Sequence, residues 1–371
     1  MHAGFSVIPF SAILKKNNSC KENKLPLFRS INEKLLKSFR LNHHPVVRVY
    51  NGYNVPGKII VFGHVLKLSP FPRRKYRRQW LVNMFSMLRL FMVKPYKSAN
   101  VSLEWEGERF YCKTQLDGFF RFEFAPSTLP KQGWHKVSVK LEEERYRSQN
   151  ITGTGEVHIL FDSKYVFVSD IDDTFLISHS SRLRKRLYVL FTKNARSRRP
   201  FTGVVRHYCL LAGSWQEHEN HNPFIYVSSS EWNLFYYIKE FARQNKLPKG
   251  VYLLNELKQV KDILRTGQNK HATKFFRIAR IVEAYPERCF VLFGDDSQED
   301  PNIYAALADH FGNKIFAVYI RQVHRYNYKK VNALIDKMTT AGIHCCYFRH
   351  SIEAIEHSRS IGLISEEKFP A

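Results

Sequence analysis

The chain has 371 residues, 44% hydrophobic and 14% aromatic, with a formal net charge of +25. That composition excludes a disordered chain and leaves room for two domains with ordinary cores. No segment offers the roughly 18 uncharged apolar residues of a membrane-spanning helix. The six cysteines, Cys20, Cys112, Cys209, Cys289, Cys345 and Cys346, show no CxxC pairing, which argues against a zinc site and fits reduced thiols in a cytosolic protein.

The opening MHAGFSVIPFSAILKK lacks a basic leader and carries only a broken apolar patch, so no secretory signal is expected. Residues 1–45 form a polar, mixed segment with one helical stretch in INEKLLKSF. Alternating apolar runs follow at 46–50, 58–68, 100–106, 109–114, 119–125 and 134–142. Period-two alternation with turn residues such as Asn51-Gly52 and Asp117-Gly118 between the runs predicts an antiparallel β-sandwich over 46–160.

Charge is distributed unevenly. From Lys34 to Leu103 there are fourteen Lys and Arg residues and no Asp or Glu, and from Thr174 to Gln216 there are nine with no acid. Such an excess points to an anionic partner, since it is not needed for folding. Within the first stretch, residues 73–97 carry Trp80, Leu81, Met84, Phe85, Leu88, Phe91 and Met92 at helical spacing. Arg73, Arg74, Arg77 and Arg78 flank them, a pattern that fits a basic amphipathic helix able to lie on an anionic bilayer, or one packed across the sandwich with its cations in water.

From residue 161 the rhythm changes. Apolar runs at 165–169, 224–228, 251–254, 290–293, 315–320 and 345–348 alternate with helical stretches near 231–245, 271–285, 301–311 and 327–340, which predicts a parallel sheet covered on both faces over 161–371. The first run ends in Asp170-Ile171-Asp172-Asp173-Thr174. Carboxylates at i and i+2 at the carboxyl edge of a buried strand are suited to phosphoryl transfer around an aspartate nucleophile. The second run places Ser228 just before a helix, where a hydroxyl and the first helical N–H groups can hold a phosphate oxygen. Lys274 opens the helix TKFFRIARIVEAYP and can offset negative charge. The strand CFVLFGDD then ends in Gly294-Asp295-Asp296, with Asp300 five residues after Asp295. Carboxylates at two strand ends suit an octahedral Mg²⁺, which keeps waters and substrate oxygens as its other ligands.

This order of motifs resembles the haloacid dehalogenase superfamily of phosphatases. The words DIDDTF, FTGVVRHYCLLA, YVSSSEWNLF, AYPERCFVLFGDDSQEDPNIY and FAVYIRQV resemble, within it, the phosphatidate phosphatase family of the yeast actin-patch type, over residues 161–322. The resemblance implies a Rossmannoid catalytic domain with a small cap inserted at 178–213. It implies Asp170 as nucleophile, Asp172 as general acid and base, and Mg²⁺ held by Asp170, the Asp172 carbonyl and Asp295. Ser228 and Lys274 would hold phosphoryl oxygens, with Thr174 and Asp300 in support. Where the family reads GDSGQ this chain has GDDSQ, so Asp296 adds a carboxylate, a further partner of the metal site or only surface; where the family has proline after the serines, Glu231 stands here.

The expectation is therefore a Mg²⁺-dependent phosphatidate phosphatase, cytoplasmic and peripheral to an anionic phospholipid membrane. Two alternatives fit parts of the sequence. A phosphatase of nucleic-acid ends would exploit the same positive field. A membrane-binding module with a vestigial catalytic half would use the basic segments alone, although intact Asp170, Asp172, Lys274 and Asp295 count against it.

Overall fold

The computed structural model describes residues 41–42, 44–70, 89–128, 130–171, 200–215, 221–257 and 270–365. Residues 42–371 form one compact unit. The first half of the described chain is built from β1 (Leu41–Asn42), β2 (Val46–Val49), β3 (Asn51–Val55), β4 (Lys58–Pro70), β5 (Lys94–Pro95), β6 (Asn100–Trp105), β7 (Glu108–Lys113), β8 (Phe119–Phe124), β9 (Gly133–Leu141) and β10 (Thr152–Ile159). Alternation decides which way these strands face. In β8, Phe120, Phe122 and Phe124 are buried while Arg121 and Glu123 are exposed, so one face packs and the other meets water.

The long strand β4 is the spine of this half. On one edge it pairs with β2 and β3, and on the other with β8, all antiparallel. Beyond β3 come β10, β9, β6 and β7 in that order, the β3–β10 pair being parallel and the others antiparallel. Val47, Val61, Val101, Leu103, Phe120, Val139 and Val157 form part of its interior.

Two expectations are corrected here. Asn51-Gly52 is not a turn but the start of β3. A β-carbon on Gly52 would lie 2.4 Å from the carbonyl oxygen of Ile60, so the residue serves close strand approach, not chain reversal. The segment 73–97 is not helical to its end: residues 89–90 are helical, and Lys94–Pro95 then forms β5 against Leu66 and Leu68 of β4. Pro95 cannot continue a helix, and Phe91 is buried in the core. Arg73, Arg74, Arg77, Arg78, Trp80 and Phe85 lie outside the described residues.

The second half alternates as expected. Among the described residues six parallel strands, β11 (Tyr165–Asp170), β12 (Phe224–Glu231), β13 (Gly250–Asn255), β14 (Cys289–Asp295), β15 (Ile315–Arg321) and β16 (His344–Phe348), form a sheet in the order β13-β12-β11-β14-β15-β16. The helices are α1 (Val204–Gly213), α2 (Phe235–Gln244), α3 (Lys270–Ala284), α4 (Asp300–Phe311), α5 (Tyr328–Thr340) and α6 (Ser351–Ser360). Helices α3, α4 and α5 pack side by side, and α1 packs on α6. Every residue of β11, β12 and β13 is buried, as a parallel sheet covered on both faces requires. Among the described residues no helix is long and apolar enough to cross a membrane.

The two halves share a core. Tyr50, Tyr53, Ile60 and Phe62 join the cluster that contains β11 to β15. Tyr50 stacks on Trp232 with ring centroids 4.2 Å apart and planes 7° from parallel. Glu156 of β10 accepts from Lys239 of α2 at 2.9 Å and from Lys249 at 2.6 Å.

Candidate active site

Sheet register brings the sequence motifs to one edge. Asp170 ends β11 beside Val227 of β12, which sets Ser228 one residue further out. On the other side Ser169 is beside Phe293 of β14, so Asp170 borders Gly294 and Asp295 follows it. Chain connections lead from β11 to β12 on one side, and β14 enters on the other. That reversal of strand order opens a crevice at the carboxyl ends of β11 and β14, the place where doubly wound sheets bind ligands.

Three buried carboxylates meet there. One oxygen from each of Asp170, Asp295 and Asp300 lies within 4.8 Å of the others. Lys274 of α3, itself buried, donates from Nζ to Asp170 Oδ1 at 2.6 Å and also to Asp300 Oδ1. Burial disfavours its ammonium, but the Asp170 and Asp300 carboxylates outweigh that cost and raise its pKa above the ordinary lysine value. The Nζ also sits 6.0 Å from the centre of the Tyr304 ring. Asp300 opens α4, and it can approach because residue 294 is glycine: a β-carbon there would stand 2.6 Å from Asp300 Oδ2 and 2.8 Å from the Tyr304 ring.

The donor set fits a hard divalent cation. Carboxylate oxygens without sulfur or imidazole suit Mg²⁺ by charge and softness, and Asp300 Oδ2 is a buried oxygen with no hydrogen-bond partner among the described residues. Asp295 Oδ1 accepts from the Ser297 N–H at 2.5 Å, which fixes its rotamer at the strand end.

Ser228 is buried in the crevice wall, but its surroundings differ from the expectation. Strand β12 runs on to Glu231 through a register irregularity after Val227, and α2 begins only at Phe235. The N–H beside the Ser228 hydroxyl is therefore that of Ser230, which donates to Ser228 Oγ at 2.8 Å. Sequence reasoning missed Arg277 and Asn255. Arg277, one helical turn after Lys274, donates to the Ser228 carbonyl at 3.3 Å and to Asn255 Oδ1 at 3.0 Å. Burial lowers its pKa to about 10, and it remains charged at neutral pH. Its i+3 spacing from Lys274 was the available signal.

Asp296 is buried. Its Oδ1 accepts from the N–H groups of Val323 at 2.7 Å and His324 at 3.0 Å, and its Oδ2 from the Tyr347 hydroxyl at 2.8 Å. It thereby ties the loop after β15 to the end of β14. Asp172 and Thr174 lie outside the described residues, as do residues 178–199 of the expected cap.

Residues 165–322 match the family described as "Phosphatidate phosphatase APP1, catalytic domain". The likeness takes in β11 through β15 and, with them, Asp170, Ser228, Lys274, Asp295 and Asp300. Among curated proteins, phosphatidate phosphatase APP1 of Saccharomyces cerevisiae is 31% identical over 98 residues, which are 26% of this chain and 16% of that protein. An uncharacterized protein of Schizosaccharomyces pombe is 24% identical over 222 residues, 58% of this chain and 34% of that protein. The matched regions thus span 16% and 34% of these relatives. Among solved structures, that of a carbohydrate acetylesterase from Xanthomonas citri aligns with a TM-score of 0.30 and 9% identity over 85% of this chain and 75% of that chain, too distant to inform the fold.

Proposed function

We propose that the chain is a Mg²⁺-dependent phosphatidate phosphatase of haloacid dehalogenase-like architecture, with 161–371 as its catalytic domain and 46–160 as a β-sandwich platform. The observation that carries this reading is the buried bridge of Lys274 between Asp170 and Asp300, with Asp295 in the same cluster, in a segment of the APP1 catalytic-domain family.

Asp170 attacks phosphorus in line, forming an Asp170 oxygen–phosphorus bond as the bond to the diacylglycerol oxygen breaks. Asp172, two residues on, gives its proton to that leaving alkoxide. It then takes a proton from the water that attacks the aspartyl phosphate, so phosphate leaves and both carboxyl groups return to their starting forms. Lys274 orients Asp170 and sets positive charge against the phosphoryl oxygens, and the Ser228 hydroxyl on the neighbouring strand holds another. Thr174 steadies the loop after β11. Bound by Asp170, Asp295 and the Asp172 carbonyl, with Asp300 in reach, Mg²⁺ would supply neutralisation of phosphoryl charge.

The substrate reading joins the family to the charge distribution. A lipid headgroup on an anionic surface suits the acid-free segments, and Arg73, Arg74, Arg77, Arg78, Trp80 and Phe85 are proposed as contacts with that surface. The same positive field would also attract phosphorylated nucleic-acid ends. Phosphate release from phosphatidate in mixed micelles and from a phosphorylated oligonucleotide, each with and without Mg²⁺, separates the two. Release from the oligonucleotide alone would overturn the lipid assignment, and release from neither would leave the vestigial module.

A further inference from the structure

We infer that the turn between β15 and α5, together with the lip where β16 enters α6, is a docking surface for an anionic lipid bilayer. It would bring the membrane to the edge of the sheet where the carboxylate cluster lies. The assignment rests, for its purpose, on the lipid-substrate reading above.

Position comes from register. Asp295 is beside Arg321 at the end of β15, and Arg321 is beside Phe348 at the end of β16. The chain that follows each strand therefore continues past the same carboxyl edge as the active-site motifs. Tyr326 is 77% exposed, Tyr328 52% and Ile352 51%, and Arg325, Lys329, Lys330 and Arg349 beside them are exposed as well. From His310 to Ile335 the chain has no Asp or Glu. The nearby Glu353 accepts from the Arg349 and His350 N–H groups at the start of α6.

The turn is held from beneath. Asp296 accepts from Val323 and His324 and from the Tyr347 hydroxyl, while its own carbonyl accepts from Asn327 Nδ2 at 2.5 Å. Tyr328 stacks on Tyr347 with centroids 5.8 Å apart, and Tyr326 on His324 at 5.0 Å. Exposed rings on a braced turn, with cations around them, match the headgroup zone of a bilayer: phenol rings sit at the interface and cations meet lipid phosphates. The exposed aliphatic side chain of Ile352 favours a bilayer over nucleic acid, which offers it no apolar depth. The Asp296 carboxylate, absent from the family's usual wording, gains a use as the brace of this turn.

The test is vesicle partitioning of the full chain on phosphatidylcholine with and without phosphatidylserine. Neither lipid is a phosphomonoester, so the result does not depend on whether the site is a phosphatase. Arg325→Gln, Lys329→Gln and Lys330→Gln combined should lower partitioning onto the anionic vesicles by on the order of 100-fold, at about fivefold per surface cation. A charge-matched variant on the other sheet, Arg109→Gln with Lys136→Gln and Lys140→Gln, should stay close to the parent. Tyr326→Ser, at an exposed position, should weaken binding without lowering the melting temperature, and it carries the test if the triple variant is destabilised. Three outcomes overturn the assignment: parent-like binding by the turn variants, equal loss in the control variant, or loss of oligonucleotide binding with vesicle binding intact. Failure of phosphate release with the expected partitioning would refute the phosphatase and leave the docking surface standing.

Discussion

Asp300 occupies the space that a side chain on residue 294 would need: a β-carbon built on Gly294 lies 2.6 Å from Asp300 Oδ2. Strand β14 therefore has glycine as its last residue but one, so that the first residue of α4 can reach Lys274 across it. Gly294→Ala should push Asp300 and Tyr304 back, at a cost of about 1–3 kcal/mol for overpacking. Phosphate release should fall more steeply than stability, because Lys274 loses one of the carboxylates that hold it. A thermal melt paired with an activity assay checks this, and unchanged activity with unchanged melting would remove Asp300 from the site.

Metal dependence is expected of a donor set made of Asp170, Asp295 and Asp300. Asp295→Asn should raise the Mg²⁺ concentration needed for half-maximal activity while leaving the maximal rate partly recoverable at high metal, since an amide oxygen is the weaker ligand. A Mg²⁺ titration of parent and variant decides it. Full parent activity in the presence of a chelator would refute the metal site.

The β-sheet half supports the site through Tyr50. Its ring stacks on Trp232, four residues after Ser228, and its hydroxyl is 3.0 Å from His64 Nδ1. Tyr50→Phe keeps the stack and should cost about 0.5–1.5 kcal/mol for the lost hydrogen bond. Tyr50→Ala should cost about 3–5 kcal/mol and raise KM, because the bulge that carries Ser228 loses its backing. Urea unfolding and steady-state kinetics separate the two variants, and a Tyr50→Ala protein with parent stability and KM would show that this contact is idle.

Acid sensitivity has a definite source in buried imidazoles. Burial lowers the pKa of both His158 and His207 to about 3, so each is neutral in the folded protein. Unfolded histidine titrates near pH 6.5. The stability each neutral ring contributes is thus complete above that pH and is lost as pH falls from there toward about 3, at about 1.4 kcal/mol per pH unit. His158 stacks on Trp134 at 4.5 Å, and neither ring nitrogen has a hydrogen-bond partner among the described residues. His158→Phe keeps a ring in that stack and should shrink the loss of stability between pH 7 and about pH 4.5 by roughly 2–3 kcal/mol. Urea midpoints at the two pH values measure it; parallel losses in parent and variant would mean that His158 does not titrate on unfolding.

The parallel sheet was legible because β11, β12, β13 and most of β14 and β15 are buried on both faces and so read as apolar runs, with Asp170 ending β11 and Asp295 ending β14. Strands β3 and β10 were not. Asn51-Gly52 and the TGTG of 152–155 look like turns, and only the close crossing of neighbouring strands explains glycine there. Helices α1 and α6 were missed although they match α2 in length; α1 falls in the stretch 178–213 that was expected to be the cap. Asp170, Lys274, Asp295 and Asp300 could be named from order and spacing, but sequence does not say that one lysine bridges two of the acids. Arg277 and Asn255 were hidden for a similar reason: the spacing puts Arg277 one turn after Lys274, but its bonds to the Ser228 carbonyl and to Asn255 arise from helix-to-strand packing.

Whether Asp170 is the nucleophile proposed above is decided by phosphate release from phosphatidate by the parent protein and by Asp170→Asn. The parent should release phosphate in a Mg²⁺-dependent manner, and the variant should show no turnover while it stays folded by thermal melt and keeps the parent's affinity for anionic vesicles. Release by Asp170→Asn at a rate near the parent's would contradict that role.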